Sequence, residues 1–83
     1  MQLILTGKNM ELTAALKTCA EQKLAKLGRL MKEYNTIANV VLSVEKDRHT
    51  VEVSVPIGRF LLRAEASTPD MYASFDAVTM KLE

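Results

Sequence analysis

Three short runs of alternating apolar and polar residues constrain the fold of this chain more than any other feature. They cover residues 36–46, 50–57 and 59–67, with only turn residues between them. Because successive side chains of a strand point to opposite faces of a sheet, each run predicts a strand with one buried face. A polar turn at Asp47, Arg48 and His49 and a second turn at Gly58 then predict hairpin connections. The sequence therefore predicts a meander of three antiparallel strands.

The alternation also assigns the residues of the last strand and of the polar sheet face. Phe60, Leu62 and Ala66 are predicted to point inward, whereas the other face is expected to be polar, with scattered apolar exceptions at Ile4, Val41 and Leu61. Phe60 and Phe75 are the two phenylalanines of the chain, and both are expected to face the core. The sheet is then expected to lack the exposed aromatic side chains on which RNA-recognition motifs stack bases.

Residues 13–34 form the longest segment with helical periodicity and predict an amphipathic helix. Thr13 is expected to cap this helix, which begins near Ala14. Gly28 is expected to kink or loosen its last turn, because glycine costs about 1 kcal/mol against alanine within a helix. The predicted apolar stripe consists of Leu12, Leu16, Cys19, Ala20, Leu27, Leu30, Met31 and Tyr34.

The remaining segments complete an α+β fold of the order β-α-β-β-β-α. Residues 2–6 are predicted to form a first strand that Gly7 ends, and a second helix is predicted to begin at Thr68 and Pro69, with Thr68 as its cap. The first two strands should be parallel through a right-handed crossover, giving a four-stranded mixed sheet with two helices packed on one face. Residues 1–83 are expected to form a single domain. No stop signal follows Leu82, so the second helix is expected to be truncated at its C-terminal end.

Composition argues against several classes of function. No apolar run approaches the length of about 18 residues that spans a bilayer, and the N-terminus does not resemble a signal peptide, so a cytoplasmic protein without membrane contact is expected. One cysteine and one histidine are too few for a zinc site, and no glycine-rich phosphate loop is present. Cys19 lies in the apolar stripe and His49 in a turn, which does not favour a nucleophile beside a base. We therefore expect no enzyme, metal, cofactor or small-molecule substrate, and a monomer when free.

The distribution of cations is more informative than the net charge of +1. Lys26, Arg29 and Lys32 lie with Gln22 within about 120° of one another on the polar side of the first helix, a row that either is simply solvated or contacts an anionic partner. Lys23 instead falls in the centre of the apolar stripe, where its stem either extends along the helix to water or serves a binding role. Further cations occur in the hairpin, on the sheet and in the second helix, at Lys46, Arg48, Arg63 and Lys81.

Six segments spread over the whole chain resemble the family of ribosome hibernation promoting factor and ribosome-associated inhibitor A. They are QLILTG at residues 2–7, LTAAL at 12–16, EQKLAKL at 21–27, VLSVEK at 41–46, RAEA at 63–66 and DMYASFD at 70–76. The last is the most specific of the six. Their order along the chain agrees with the predicted order of helices and strands.

This resemblance implies a stress or stationary-phase factor that binds the small ribosomal subunit, at ribosomal RNA in the channel for messenger and transfer RNA, and inhibits translation without turnover. Family contacts to RNA are made by basic residues of the helices and nearby loops. On this chain they correspond most closely to Lys23, Lys26, Arg29, Arg48 and Lys81, with Arg63 and Lys46 as second choices. Phosphate contacts of this kind release counterions and set affinity and orientation.

The chain departs from the family pattern at the end of the second helix and at Thr79, and it does not include a domain that only long members carry. The second helix usually continues into a basic tail, Thr79 stands where an acid is usual, and long members carry a C-terminal domain that pairs ribosomes. Older names for such sequences refer to sigma-54 modulation. The alternative function is accordingly a protein-interaction module that modulates transcription through its sheet face or edge.

Overall fold

The computed structural model describes residues 2–30 and 35–82 and has the predicted α+β order. The sheet order is β1-β2-β3-β4, in which β1 and β2 are parallel and the later pairs are antiparallel. The expectation of a four-stranded mixed sheet with two helices is confirmed. The elements are β1 (Gln2–Lys8), α1 (Ala14–Leu30), β2 (Ile37–Glu45), β3 (Arg48–Ile57), β4 (Phe60–Thr68) and α2 (Met71–Leu82).

The core lies between one face of the sheet and the two helices. Side chains of β2 and β3 that alternate along the strands, such as Val40 and Val53, are fully buried there against Phe75 of α2. Helix α1 contributes Cys19, Ala20, Leu24 and Leu27. The buried Leu24 was absent from the predicted stripe. Residues Met31 and Tyr34, which the stripe included, lie outside the described residues.

The predicted burial of Leu30 in the core is wrong, because 61% of this residue is exposed to solvent. Leu30 is the last residue of α1, three residues after the buried Leu27. The periodicity of a helix fixes the side to which a residue points, but not whether another element covers that side. The end of α1 therefore extends beyond the core.

Phe60 is also exposed, contrary to the prediction that both phenylalanines face the core. It lies on the same side of β4 as Leu62 and Ala66, but 78% of it is accessible to solvent. Burial increases along β4, from the exposed Phe60 through the half-buried Leu62 to the buried Ala66. Phe60 pairs with Ile57 beside the β3–β4 turn, at the poorly covered end of the strand. The expectation that both phenylalanines are buried is therefore incorrect for Phe60 and correct for Phe75.

Two turns differ in detail from the predictions. The β2–β3 turn consists of Lys46 and Asp47, while Arg48 and His49 already belong to β3. Lys46 has a φ of 57° in this turn, and Gly58 has a φ of 58° in the predicted β3–β4 turn. Both lie in the left-handed region that favours glycine.

Strand β1 does not end at Gly7 but continues to Lys8. The reason for a glycine here is a close approach of the following loop. A Cβ atom on Gly7 would lie 2.6 Å from the backbone oxygen of Met10 and 3.3 Å from the Leu12 side chain. The chain can thus turn tightly from β1 towards α1.

Gly7→Ala is expected to destabilise the protein by about 1–3 kcal/mol, because the new methyl group forces the backbone of this turn to move. Urea unfolding followed by circular dichroism measures the loss. In a Leu12→Ala background the loss should persist, since trimming that side chain does not move the Met10 oxygen. Equal stability of Gly7→Ala and the parent chain would contradict this account.

The helix starts are fixed by side-chain oxygens. Thr13 caps α1 as predicted, since its Oγ1 accepts a hydrogen bond of 3.1 Å from the Leu16 N–H. At α2 the cap is Asp70 and not Thr68, because Asp70 Oδ2 accepts the Ala73 N–H at 3.1 Å. Thr68 Oγ1 instead accepts the N–H of Asp70, also at 3.1 Å. Thr68 therefore shapes the turn that leads to the cap.

A buried serine connects the start of α2 to the sheet. Ser74 is fully buried, and its hydroxyl donates a hydrogen bond of 2.6 Å to the backbone oxygen of His49 in β3. The same hydroxyl lies 2.7 Å from Thr68 Oγ1 at the end of β4. One side chain thus joins α2, β3 and β4 at the end of the sheet that carries the β2–β3 turn.

Candidate nucleic-acid interface

Three cations form a ridge on the C-terminal half of α1. Lys23, Lys26 and Arg29 follow one another at intervals of three residues, so each is rotated by about 60° from the last. Lys23 lies on the side of α2, where it meets Asp76. Arg29 lies on the side of β1, where it lines a groove with Leu3. Lys26 lies between these two sides, and the ridge therefore runs across the outside of the helix layer.

Lys23 forms an ion pair between the helices. Its Nζ lies 2.6 Å from Asp76 Oδ1, and both side chains remain partly exposed, at 41% and 57%. The hydrogen bond to Asp76, together with the charge of that carboxylate, raises the pKa of Lys23. A lysine in the apolar stripe is thus accommodated by an acid on the neighbouring helix. It keeps its charge and its contact with water.

Asp76 is the residue of this site that sequence reasoning missed. A charge within an apolar stripe indicates that a partner must come from a packed neighbour, because an unpaired charge is costly away from water. That neighbour was identifiable as the second helix, but the matching position was not. Asp76 lies in the DMYASFD segment and places one negative charge beside the ridge.

Lys81 lies on the same half of the helix layer. Strands β1, β2 and β4 run in one direction, so the helices that follow β1 and β4 both run in the other, and their C-terminal halves share one end of the molecule. Lys81 Nζ donates a hydrogen bond of 2.6 Å to the backbone oxygen of Glu65. It therefore lies on the side of α2 that faces β4, at the same end of the molecule as the ridge.

The other three predicted cations lie elsewhere. Lys46 and Arg48 are exposed at the β2–β3 turn, at the opposite end of the sheet. Arg63 lies on the sheet face away from the helices, where its Nη2 is 3.1 Å from Glu52 Oε1. The structure thus places four of the seven predicted residues, Lys23, Lys26, Arg29 and Lys81, in the C-terminal halves of the two helices, and we call these four the helix-layer surface.

The described residues also bear on three other kinds of site: a reactive thiol, a metal site and a membrane span. Burial raises the pKa of the Cys19 thiol, an effect larger than the opposing one of the Lys23 charge, which makes a reactive thiolate unfavourable. Within residues 2–30 and 35–82, no group of three or more histidine, cysteine, aspartate or glutamate side chains could hold a metal ion. In that same part of the chain, neither helix has the length and hydrophobicity to cross a membrane.

Comparison with known families identifies one that covers almost the whole chain. Residues 3–83 match the family described as Sigma 54 modulation protein / S30EA ribosomal protein. The ribosome hibernation promoting factor of Escherichia coli K12 is 39% identical over 82 residues, which cover 99% of this chain and 85% of that protein. The ribosome hibernation promotion factor of Bacillus subtilis 168 is 38% identical over 85 residues, which cover all of this chain and 45% of the longer protein.

Two solved structures are similar to this fold. The N-terminal domain of Thermus thermophilus Protein Y superimposes with a TM-score of 0.87 at 34% identity, covering 99% of this chain and 91% of that one. A ribosomal subunit interface protein from Coxiella burnetii gives a TM-score of 0.90 at 25% identity, covering 100% and 90% of the respective chains.

Proposed function

Because this chain belongs to the Sigma 54 modulation protein / S30EA ribosomal protein family, we propose that it is a ribosome hibernation factor. It binds the small ribosomal subunit at ribosomal RNA of the messenger and transfer RNA channel, and inhibits translation in the stationary phase or under stress. The observation that carries this proposal is the similarity, over nearly the full chain, to proteins named ribosome hibernation promoting factor. The protein acts by binding in the cytoplasm, without catalysis.

The helix-layer surface supplies the main contacts to RNA. Exposed lysine and arginine side chains on a rigid helix pair with phosphates and release the counterions held there. Lys26 and Arg29 are both exposed at the C-terminal half of α1. Lys23 is paired with Asp76, and its side chain remains partly exposed to solvent. RNA that approaches this ridge meets cations already in position, which lowers the entropic cost of binding.

The cations outside the helix-layer surface make secondary contacts. Lys46 and Arg48 project from the β2–β3 turn at the other end of the molecule, and reach a different segment of RNA. Arg63 lies on the opposite sheet face beside Glu52, so RNA bound to the helix-layer surface interacts with it only through its field. We therefore rank Arg63 below the other six residues.

The proposal predicts a steep dependence of binding on salt. If the helix-layer surface and Arg48 pair with phosphates, the logarithm of the association constant should fall with the logarithm of salt concentration with a slope on the order of −4. Co-sedimentation with purified small subunits at several salt concentrations measures this slope. A slope near zero would contradict binding through phosphates.

A second function is favoured by a specific observation on the other face of the sheet. Ile4 and Leu61 are exposed there, at 48% and 59%, and could contact a protein partner such as a transcription factor, as the sigma-54 part of the family description suggests. Apolar contacts respond weakly to salt, so the same titration distinguishes this function from binding to RNA.

A further inference from the structure

The two edges of the sheet differ in how they are protected against pairing with another strand. Edge strands usually carry charges or covering groups, because their free backbone groups otherwise bind further strands. Strand β4 carries the charged residues Arg63 and Glu65. In addition, the Glu65 carbonyl oxygen already accepts a hydrogen bond from Lys81. Strand β1 has no charged residue or proline before Lys8. The edge of β1 therefore lacks these protective features.

The backbone direction of β1 follows from one hydrogen bond. The Gln2 N–H donates to the Thr36 oxygen at 3.2 Å, so Gln2 directs its peptide groups towards β2. Because this direction alternates along a strand, Leu3 and Leu5 direct their N–H and C=O groups towards the open edge. These are the residues whose side chains lie on the helix-facing side of the sheet. A strand placed beside β1 would thus bond to Leu3 and Leu5.

A groove of about 610 Å³ lies between this edge and α1. Its apolar lining includes Leu3, Leu5 and Leu24, which explains why the two β1 leucines are only half-buried. Two charged residues of opposite sign also line it, Glu21 and Arg29. They are separated by about 12 Å along α1, with the small Ala25 at their midpoint.

We propose that a second copy of this chain pairs with the edge of β1, antiparallel and about a two-fold axis near Ile4. In this register Leu3 pairs with Leu5 of the second copy, and the Ile4 residues of the two copies face each other. The two sheets then form one continuous sheet of eight strands. This proposal does not depend on the proposed function. From the sequence alone a monomer was expected, and the open edge of β1 changes that expectation at high protein concentration.

The charges in the groove favour a second copy over an unrelated peptide. A two-fold axis places the α1 helices of the two copies antiparallel on the same side of the sheet. Glu21 of one copy then faces Arg29 of the other, and the same pair forms again across the axis. Ala25 lies nearest the axis, where a small side chain permits close approach of the helices. An interface of this type is self-complementary in charge.

The exposed Ile4 gives an independent reason for this register. Its side chain lies on the sheet face away from the helices and is 48% accessible to solvent. In an antiparallel ladder centred on Ile4, the two Ile4 residues form a pair without hydrogen bonds, in which side chains are closest. Pairing therefore removes apolar surface on both faces of the sheet at once.

Sedimentation velocity of the 83-residue chain at concentrations up to about 1 mM, a range that covers weak association, tests the proposal. The wild-type chain should shift from monomer to dimer as its concentration rises. Glu21→Arg alone and Arg29→Glu alone should each weaken association at least about tenfold, because they place like charges opposite each other. An equimolar mixture of these two variants should form dimers again. Ile4→Lys should abolish the dimer.

The outcomes separate this inference from the alternatives and from the proposed function. A wild-type chain that stays monomeric would overturn the proposal, as would variants that associate like the wild type or a mixture that fails to restore association. Thermal unfolding of each variant checks that it is folded. Ile4→Lys lies outside the helix-layer surface, so it should bind small subunits as the wild type does. Loss of self-association and loss of ribosome binding can therefore be told apart.

Discussion

Reversing the charges of Lys26 and Arg29 together is expected to weaken binding to small ribosomal subunits by roughly a hundredfold or more. Each change removes one contact between a charged donor and a phosphate, worth about 1.5–3 kcal/mol, and about 1.4 kcal/mol corresponds to a factor of ten. The double variant Lys26→Glu with Arg29→Glu should also show a salt slope that is smaller by about two. Co-sedimentation at low salt measures the affinity.

A matched control has the same net charge but changes cations elsewhere. Lys8 and Lys17 are exposed at the other end of the molecule, the former at the end of β1 and the latter in the first half of α1. The double variant Lys8→Glu with Lys17→Glu should retain most of the affinity, because long-range attraction is screened beyond about 8 Å at physiological salt. Equal losses in the two double variants would indicate that net charge alone governs binding. No loss in either would contradict the helix-layer surface.

Phe75→Ala is expected to destabilise the fold by about 3–5 kcal/mol, the usual cost of removing a buried phenylalanine side chain. Phe75 is fully buried between α2 and the sheet. A chain of 83 residues has a net stability of only several kcal/mol, so a large fraction of the variant should be unfolded at 37 °C. Calorimetry or circular dichroism during heating measures the change.

The same substitution at Phe60 is the control, since the residue type is identical and only burial differs. Phe60→Ala should change stability by no more than about 0.5 kcal/mol, as is usual for exposed positions. A large loss at Phe60 would show that this side chain is covered in solution. Dimer formation through β1 would not explain such a loss, because Phe60 lies on the opposite edge strand.

Alternation along the strands predicted most of the sheet, because one buried and one exposed face leave a clear pattern in β2 and β3. The same pattern failed at Phe60, since it reports the side to which a residue points and not the extent of the covering helices. The predicted burial of Leu30 at the end of α1 was wrong for the same reason. Burial at the ends of helices and strands depends on where neighbouring elements stop, which a local pattern does not contain.

The candidate site was predictable in part. The exposed Lys26 and Arg29 follow from helical periodicity within α1. The ion pair of Lys23 with Asp76 joins residues that are more than fifty positions apart in sequence and lie on different helices, so the relative rotation and shift of the two helices decide it. The contact of Lys81 with Glu65 likewise depends on how α2 lies against β4. Local patterns thus located the cations, and packing determined their partners.

The buried hydroxyl of Ser74 helps to fix the distance between two groups of cations. It fixes the start of α2 to β3, close to Lys46 in the β2–β3 turn and to Arg48 at the start of β3. From Met71 to Lys81, α2 extends for about 15 Å, at 1.5 Å per residue. In the proposed binding mode, RNA that reaches both groups of cations must present phosphates that span the length of this helix. The domain would then select its target by the rigid spacing of phosphates in folded RNA rather than by the identity of bases.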